Sequence, residues 1–127
     1  MLKSKTSRIG SIGEDIACTF LQGKGFSIIE RNFRRPWGEI DIIAEKQGIV
    51  RFVEVKALSV SLDDISRENS YWPEEQIHPA KLRKIVRTAE LYMANRKDGR
   101  EFQIDSVGVL MDQMTRKARC RLLEQIL

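Results

Sequence analysis

The sequence predicts a single α/β domain in which a mixed β-sheet is flanked by helices. A chain of 127 residues is long enough for one domain with one core and cramped for two. Segments with helical and strand periodicity alternate in the order α-β-β-β-α-β-β. Internal repeats and low-complexity tracts are both absent from the sequence. We therefore treat residues 1–127 as one domain.

The first half of the chain predicts one helix and three strands. Apolar residues recur at helical spacing from about Ser11 to Lys24, and glycines follow. Phe26 to Arg34 has the composition of a short strand and is followed by a turn at Pro36. Residues 38–56 then predict a β-hairpin around Gln47-Gly48.

The second half predicts a long loop, a helix and two more strands. Residues 57–77 lack a clear period and carry an acidic cluster, and loops of this length are often functional. His78-Pro79 opens a helix with one apolar stripe, which ends at Gly99. Phe102 to Leu110 and Arg119 to Ile126 follow as strands, although the last segment could also be helical.

Composition excludes a membrane-spanning protein. The chain is 42% hydrophobic and 31% charged, and no stretch approaches the ~18 apolar residues of a membrane span. Residues 1–9 are basic but lack the apolar core of a secretion signal, so we expect a flexible N-terminus and a soluble, cytoplasmic protein without a membrane partner. Cys18 and Cys120 lack metal-site spacing and are expected to be free, buried thiols.

Charge is distributed unevenly and suggests nucleic acid as the partner. The net charge is +4, residues 79–100 carry a local excess of five positive charges, and residues 61–78 have an excess of four negative ones. The side chains expected to bind the phosphate backbone are Lys81, Arg83, Lys84, Arg87, Arg34 and Arg35. The alternative is that the basic helix face is only solvated.

The hairpin brings together the residues of chemical interest. A two-residue turn at Gln47-Gly48 places Asp41 directly opposite Glu54. One face near the open end of the hairpin is then polar and consists of Glu39, Asp41, Glu54 and Lys56. The other face is wholly aliphatic, is suited to burial, and consists of Ile40, Ile42, Val53 and Val55.

Asp41 and Glu54 would repel each other at this spacing unless a cation lay between them. Mg²⁺, with Mn²⁺ as a substitute, is the natural cation because it prefers oxygen ligands and is usually held by one or two carboxylates plus substrate phosphate. Lys56 would place an ammonium beside that metal, where it could orient water or stabilise charge on the phosphate. The alternative is a solvated strand face with no chemical role.

Four motifs in this order carry a family resemblance: GE at Gly13-Glu14, then RNFR, GEIDII and FVEVK. Together they resemble the YraN-like family of predicted endonucleases in the PD-(D/E)xK nuclease superfamily, from about Gly10 to Val109. The resemblance implies a restriction-endonuclease-like fold and a magnesium-dependent DNA endonuclease of repair or recombination. Asp41 and Glu54 resemble the metal-binding acids, Lys56 the catalytic lysine and Glu14 an additional helix acid. The alternative is a non-catalytic nucleic-acid-binding module that retains the fold.

Other positions leave alternatives open. Glu14 could instead complement the charge of a helix N-terminus, and Glu39 could be a salt-bridge partner of Lys56. Gln76 resembles a supporting glutamine of some superfamily branches, whereas His78 is expected to cap or precede its helix. Ala57-Leu58 departs from the hydroxyl and basic residue that relatives tend to have, so substrate contacts could differ. The oligomeric state is open, with a homodimer as one possibility.

Overall fold

The computed structural model describes residues 5–61, 63, 77–112 and 114–127. Within these residues the chain forms two helices and five strands in the predicted order. Their bounds are α1 Lys5–Gly23, β1 Ser27–Arg35, β2 Gly38–Lys46, β3 Ile49–Ser59, α2 Pro79–Asn95, β4 Phe102–Met111 and β5 Ala118–Leu123.

The five strands form one mixed sheet in the order β1-β2-β3-β4-β5. β3 and β4 run parallel, and the other three neighbouring pairs are antiparallel. A parallel pair needs a long crossover, and the segment between β3 and β4 contains α2. The predicted α/β class and mixed sheet are therefore confirmed.

The two helices cover opposite faces of the sheet. The α1 face is built around Ala17, Leu21, Ile42, Val53 and Val107. The α2 face is built around Phe33, Ile40, Phe52, Ile85 and Tyr92. Both faces of the central strands are thus buried, which explains their nearly continuous hydrophobic runs.

The predicted register of the hairpin is confirmed in its closed half. Gln47 and Gly48 have φ of 56° and 75°, as a two-residue turn with left-handed residues requires. The pairing runs from Lys46 with Ile49 to Ile42 with Val53. The prediction of one wholly aliphatic face is wrong at Ile40, which packs in the α2 cluster while Ile42 packs in the α1 cluster. Side-chain alternation therefore breaks at Asp41.

The expected limits of the N-terminal segment and of the loop after the hairpin both change. α1 begins at Lys5, so the second half of the segment expected to be flexible, residues 1–9, is helical. Ile9 and Ile12 pack against the core, and this burial offsets the cost of about 1 kcal/mol for Gly10 within a helix. β3 continues to Ser59, so the loop expected at 57–77 starts later. Residues 62 and 64–76, which carry most of its acids, lie outside the described residues.

The C-terminal residues also differ from the expectation. α2 ends at Asn95 and not at Gly99. β5 is a strand, as predicted, but stops at Leu123. The backbone N–H of Gln125 then donates to the Asp105 carboxylate, and that of Ile126 donates to the Ile104 carbonyl. These two bonds hold the last residues of the chain across β4.

Two expectations about composition can be compared with the structure. Cys18 is buried, Cys120 is half-buried, and both are free thiols. Across the described part of the chain, neither helix combines the length and the apolar character that crossing a bilayer demands. The cytoplasmic location stays a prediction.

Candidate active site

The site begins where β2 and β3 separate. Their pairing stops at Ile42 and Val53, while β3 continues beside β4 as far as Ser59. At this gap the Val55 N–H donates a hydrogen bond of 2.8 Å to Oδ2 of Asp41. The aspartate side chain thus replaces the next bond of the ladder and is aimed at β3.

This geometry corrects the predicted pairing at the open end of the hairpin. The ladder does not continue to Asp41 and Glu54, nor to Glu39 and Lys56. Glu39 instead pairs with Arg34 on β1, and its Oε1 lies 3.4 Å from Nη1 of that arginine. The suggested salt bridge between Glu39 and Lys56 is therefore wrong.

Glu54 is the most perturbed acid of the site. Its side chain is only 7% exposed, and its Oε1 lies 3.8 Å from Nζ of Lys81 on α2. Burial, followed by the negative charge of Asp41, raises the pKa of Glu54 to about 7. The positive charges of Lys81 and Lys56 oppose this rise without cancelling it.

Lys56 lies two residues beyond Glu54 on the same strand and is half-buried. Successive even positions of β3 face the same side of the sheet, so both side chains belong to the α2 face. The positive charge of Lys56 acts to lower the pKa of Glu54. The structure thus brings together Asp41, Glu54 and Lys56, although not by the simple pairing expected from sequence.

Glu14 approaches the site from the opposite face of the sheet. Burial raises its pKa, and the charge of Asp41 raises it further. Its Oε1 is buried and has no hydrogen-bond partner. Because α1 starts at Lys5, Glu14 lies in the middle of the helix, and the alternative of N-terminal charge complementarity is excluded.

Two glycines set the distance of the helices from the hairpin. A Cβ added at Gly13 would lie 2.5 Å from Cβ of Ala57, so α1 rests directly on β3 next to Glu14. A Cβ added at Gly38 would collide with Thr88 of α2. The glycines of the GE and GEIDII motifs therefore allow both helices to come close to the site.

The predicted phosphate-binding residues divide into two groups. Lys81 and Lys84 line a groove of about 270 Å³ together with Arg35. Arg83 and Arg87 each lie two residues from the buried Ile85, about 200° around the helix, and therefore point away from the sheet. Arg34 is already paired with Glu39. Only part of the predicted set thus lies beside the carboxylates.

Among the remaining candidate residues, His78 has a structural role at the start of α2. Nδ1 of His78 accepts a hydrogen bond of 3.0 Å from the Ala80 N–H, which confirms that the histidine caps α2. Gln76 lies outside the described residues. The described side chains contain no group of three or more His, Cys, Asp or Glu residues arranged to hold a metal ion. In this conformation Asp41 and Glu54 form a pair, and Glu14 does not complete a group of three with them.

A second buried charge cluster was missed at the sequence level. Arg51 is 2% exposed, and its Nη1 lies 3.1 Å from the fully buried Asp105 and 3.0 Å from Glu124. Its Nη2 donates to the Lys46 carbonyl at 3.4 Å. The sequence did contain an indication of this cluster. Arg51 alternates in the strand with Val53 and Val55, so its side chain faces the same buried side of the sheet. The cluster joins the hairpin turn, β4 and the C-terminus.

The fold and the site define a small α/β protein with an acidic site at the end of the central hairpin where β2 and β3 no longer pair. The chain belongs to the family described as "Uncharacterised protein family UPF0102", whose model matches residues 13–109, and this confirms the YraN-like resemblance. It is 39% identical over 117 residues to a UPF0102 protein of Campylobacter lari, covering 92% of this chain and 91% of that protein. It is 36% identical over 125 residues to one of Helicobacter pylori, covering 98% and 96% respectively.

Proposed function

We propose that the protein is a metal-dependent nuclease that hydrolyses phosphodiester bonds, most simply a DNA endonuclease of repair or recombination. The observation that supports this best is the pair formed by the buried Glu54 and the half-buried Asp41. Burial and the charge of Asp41 raise the pKa of Glu54 to about 7, so the pair is costly to ionise without a cation. Two carboxylates so close together lower the stability of the metal-free fold. A cation bound between them would explain why the protein keeps them there.

The donor set fits a hard divalent cation. Asp41 and Glu54 offer carboxylate oxygens, which Mg²⁺ prefers, and Mg²⁺ needs only one or two of them beside water and phosphate. The buried Oε1 of Glu14, which has no hydrogen-bond partner, is suited to a metal-bound water. When bound, Mg²⁺ or Mn²⁺ would lower the pKa of a water molecule and offset the charge that develops on the phosphate.

The chain's own residues then have distinct roles. Asp41 is oriented by the Val55 N–H, which fixes one of its oxygens and leaves the carboxylate aimed at the gap. Glu54 must release its proton before it can act as a ligand. Lys56 would donate a hydrogen bond to the attacking water or to a phosphate oxygen. Lys81 offsets part of the charge of ionised Glu54 in the absence of a ligand and would be released when a cation binds.

The groove beside Lys81 is the proposed path of the nucleic-acid backbone. Lys81, Lys84 and Arg35 line it and would attract phosphates by releasing condensed counterions, without reading the sequence. Lys81 belongs both to this groove and to the ion pair with Glu54, so the path leads to the carboxylates.

Incubation of the purified protein with supercoiled, linear, flap and four-way-junction DNA would test the proposal. We expect cleavage with Mg²⁺ or Mn²⁺ and none with a chelator. Asp41→Asn should lower the rate at least about 100-fold, because it removes charge from the metal site while the hydrogen bond to Val55 is retained. Arg83→Ala, on the outer face of α2, is the matched control.

Two outcomes would contradict the proposal. Cleavage by Asp41→Asn at the wild-type rate, with a clean chelator control, would mean that the metal site is wrong. Binding of DNA without cleavage of any substrate, with either metal, would favour the alternative of a non-catalytic nucleic-acid-binding module.

A further inference from the structure

Trp37 is an exposed aromatic residue at the edge of the basic groove. It lies in the turn between β1 and β2, and 40% of its surface is exposed. Its two chain neighbours, Pro36 and Gly38, both line the groove. Tight turns favour small or polar residues such as Gly, Asn, Asp and Ser, so a tryptophan has no local role in making this turn.

The surroundings of Trp37 are suited to nucleic acid. Arg35, Lys81 and Lys84 line the groove beside Trp37, and Glu39, which also lines it, is paired with Arg34. The Lys81 ammonium lies 3.8 Å from Glu54. The guanidinium of Arg35 lies 4.3 Å from the centre of the Phe33 ring, so this arginine stacks on a different aromatic residue. An indole beside a row of cations is the combination that binds single strands, since cations attract the backbone and an aromatic face stacks on a base.

We propose that Trp37 stacks on an unpaired base of the nucleic-acid strand held in the groove, and that the protein therefore prefers substrates with single-stranded segments. This inference rests on the proposed function and specifies its substrate class. A base within a duplex is already stacked on its neighbours and offers no free face to the indole. Flaps, gaps and single strands provide such a base, whereas a blunt duplex does not.

Trp37 also provides the means to test the inference. The chain has two tryptophans, Trp37 and Trp72, so a Trp72→Phe variant reports on Trp37 alone. It would be titrated without metal against an oligothymidylate, an abasic strand of equal length and charge, and a blunt duplex. We expect the oligothymidylate to quench the fluorescence strongly and the other two to quench it little.

Affinity measurements provide the second readout. Trp37→Ala should bind the oligothymidylate at least about fivefold more weakly, because a stacked base contributes that much or more. Its affinity for the abasic strand and the duplex should be unchanged, and Trp37→Phe should retain most of the binding. Ile29→Ala is the matched control, since Ile29 is also exposed but lies eight residues away towards the other end of β1.

The outcomes separate the two proposals. If the wild type binds and cleaves nucleic acid while Trp37→Ala binds the oligothymidylate equally well and the fluorescence is not quenched, the stacking proposal is wrong and the nuclease proposal stands. If the wild type binds no nucleic acid of any form, both proposals fail. Equal loss of affinity for all three ligands would also overturn the stacking role, because it would indicate a general effect on the groove.

Discussion

β3 carries two buried charged groups, and their surroundings differ. Arg51 is neutralised within the chain by Asp105 and Glu124. Three residues later, Glu54 lies close to a second acid, Asp41, and its ion pair is with the half-exposed Lys81, 3.8 Å away. One cluster is paired internally, whereas the other retains an excess of negative charge.

We interpret this difference as that between a structural cluster and the proposed functional site. Arg51 and Asp105 join strands and the C-terminal tail, so their charges are accounted for by the fold alone. Glu54 reduces the stability of the fold when it ionises without a ligand, since its burial and the negative charge of Asp41 both raise its pKa. Removing a charge should therefore destabilise the first cluster and stabilise the second.

The largest expected effect is on the paired cluster. Arg51→Met leaves the Asp105 carboxylate buried without its cation and should lower the free energy of unfolding by about 3–5 kcal/mol. Urea denaturation would measure the change. The double variant Arg51→Met/Asp105→Leu should recover much of the loss, because no isolated charge remains buried. A single variant as stable as the wild type would contradict the proposed role of this cluster.

The second effect has the opposite sign. The folded-state pKa of Glu54 is about 7, above its ordinary value of 4.5, so the folded protein binds more protons between these values. The stability of the metal-free protein should fall as pH rises through this window and remain lower above it. Glu54→Gln should therefore raise the free energy of unfolding at pH 8, on the order of 3 kcal/mol.

Denaturation of wild type and Glu54→Gln in chelator at pH 5 and pH 8 would check this effect. The two proteins should differ less at pH 5 than at pH 8. A destabilised Glu54→Gln at pH 8 would show that the glutamate belongs to a favourable internal pair, like that of Arg51.

A smaller effect should come from the cation itself. Mg²⁺ or Mn²⁺ at about 100 times its dissociation constant should stabilise the wild type by about 2.7 kcal/mol. Asp41→Asn and Glu54→Gln should lose this stabilisation, while Glu14→Gln should keep most of it, since Glu14 is not placed as a direct ligand. Thermal denaturation with and without metal at pH 8 would show it. If the metal stabilised the wild type and all three variants equally, the cation would bind at a different site.

The smallest expected effect distinguishes the two sides of α2. Lys84→Ala should reduce the salt dependence of duplex binding by about one unit of slope, because one phosphate contact is lost from the groove. Arg87→Ala should leave the slope unchanged, since Arg87 points away from the sheet. Fluorescence anisotropy over a range of salt concentrations measures both. If Arg87→Ala reduced the slope and Lys84→Ala did not, the nucleic acid would bind the outer face of the helix.

Local sequence was sufficient where the physical cause was local. The Gln47-Gly48 turn fixed the hairpin register, because a two-residue turn permits one pairing and both residues adopt positive φ. Pro79 and the polar His78 marked the start of α2 for a similar reason. The order of the elements followed from hydrophobic periodicity, which each segment carries independently.

The separation of β2 and β3 depends on the whole fold and could not be obtained from hairpin arithmetic. β4 pairs with β3 along its length, and β1 pairs with the start of β2, so each strand follows a different neighbour beyond Ile42 and Val53. Asp41 then bonds to the Val55 backbone and does not simply face Glu54. For the same reason the side chain of Ile40 lies on the α2 face and not on the face predicted for it.

The sequence by itself determined that the residues of the proposed site, Asp41, Glu54 and Lys56, lie on adjacent strands of a hairpin, because the Gln47-Gly48 turn joins those strands. Only the tertiary structure decided their ionisation and their neighbours. Glu54 is buried on the α2 face, where α2 supplies Lys81, and Glu14 comes near Asp41 because α1 rests on Ala57 at Gly13. Burial and charge pairing depend on segments far apart in sequence, and local patterns do not report them.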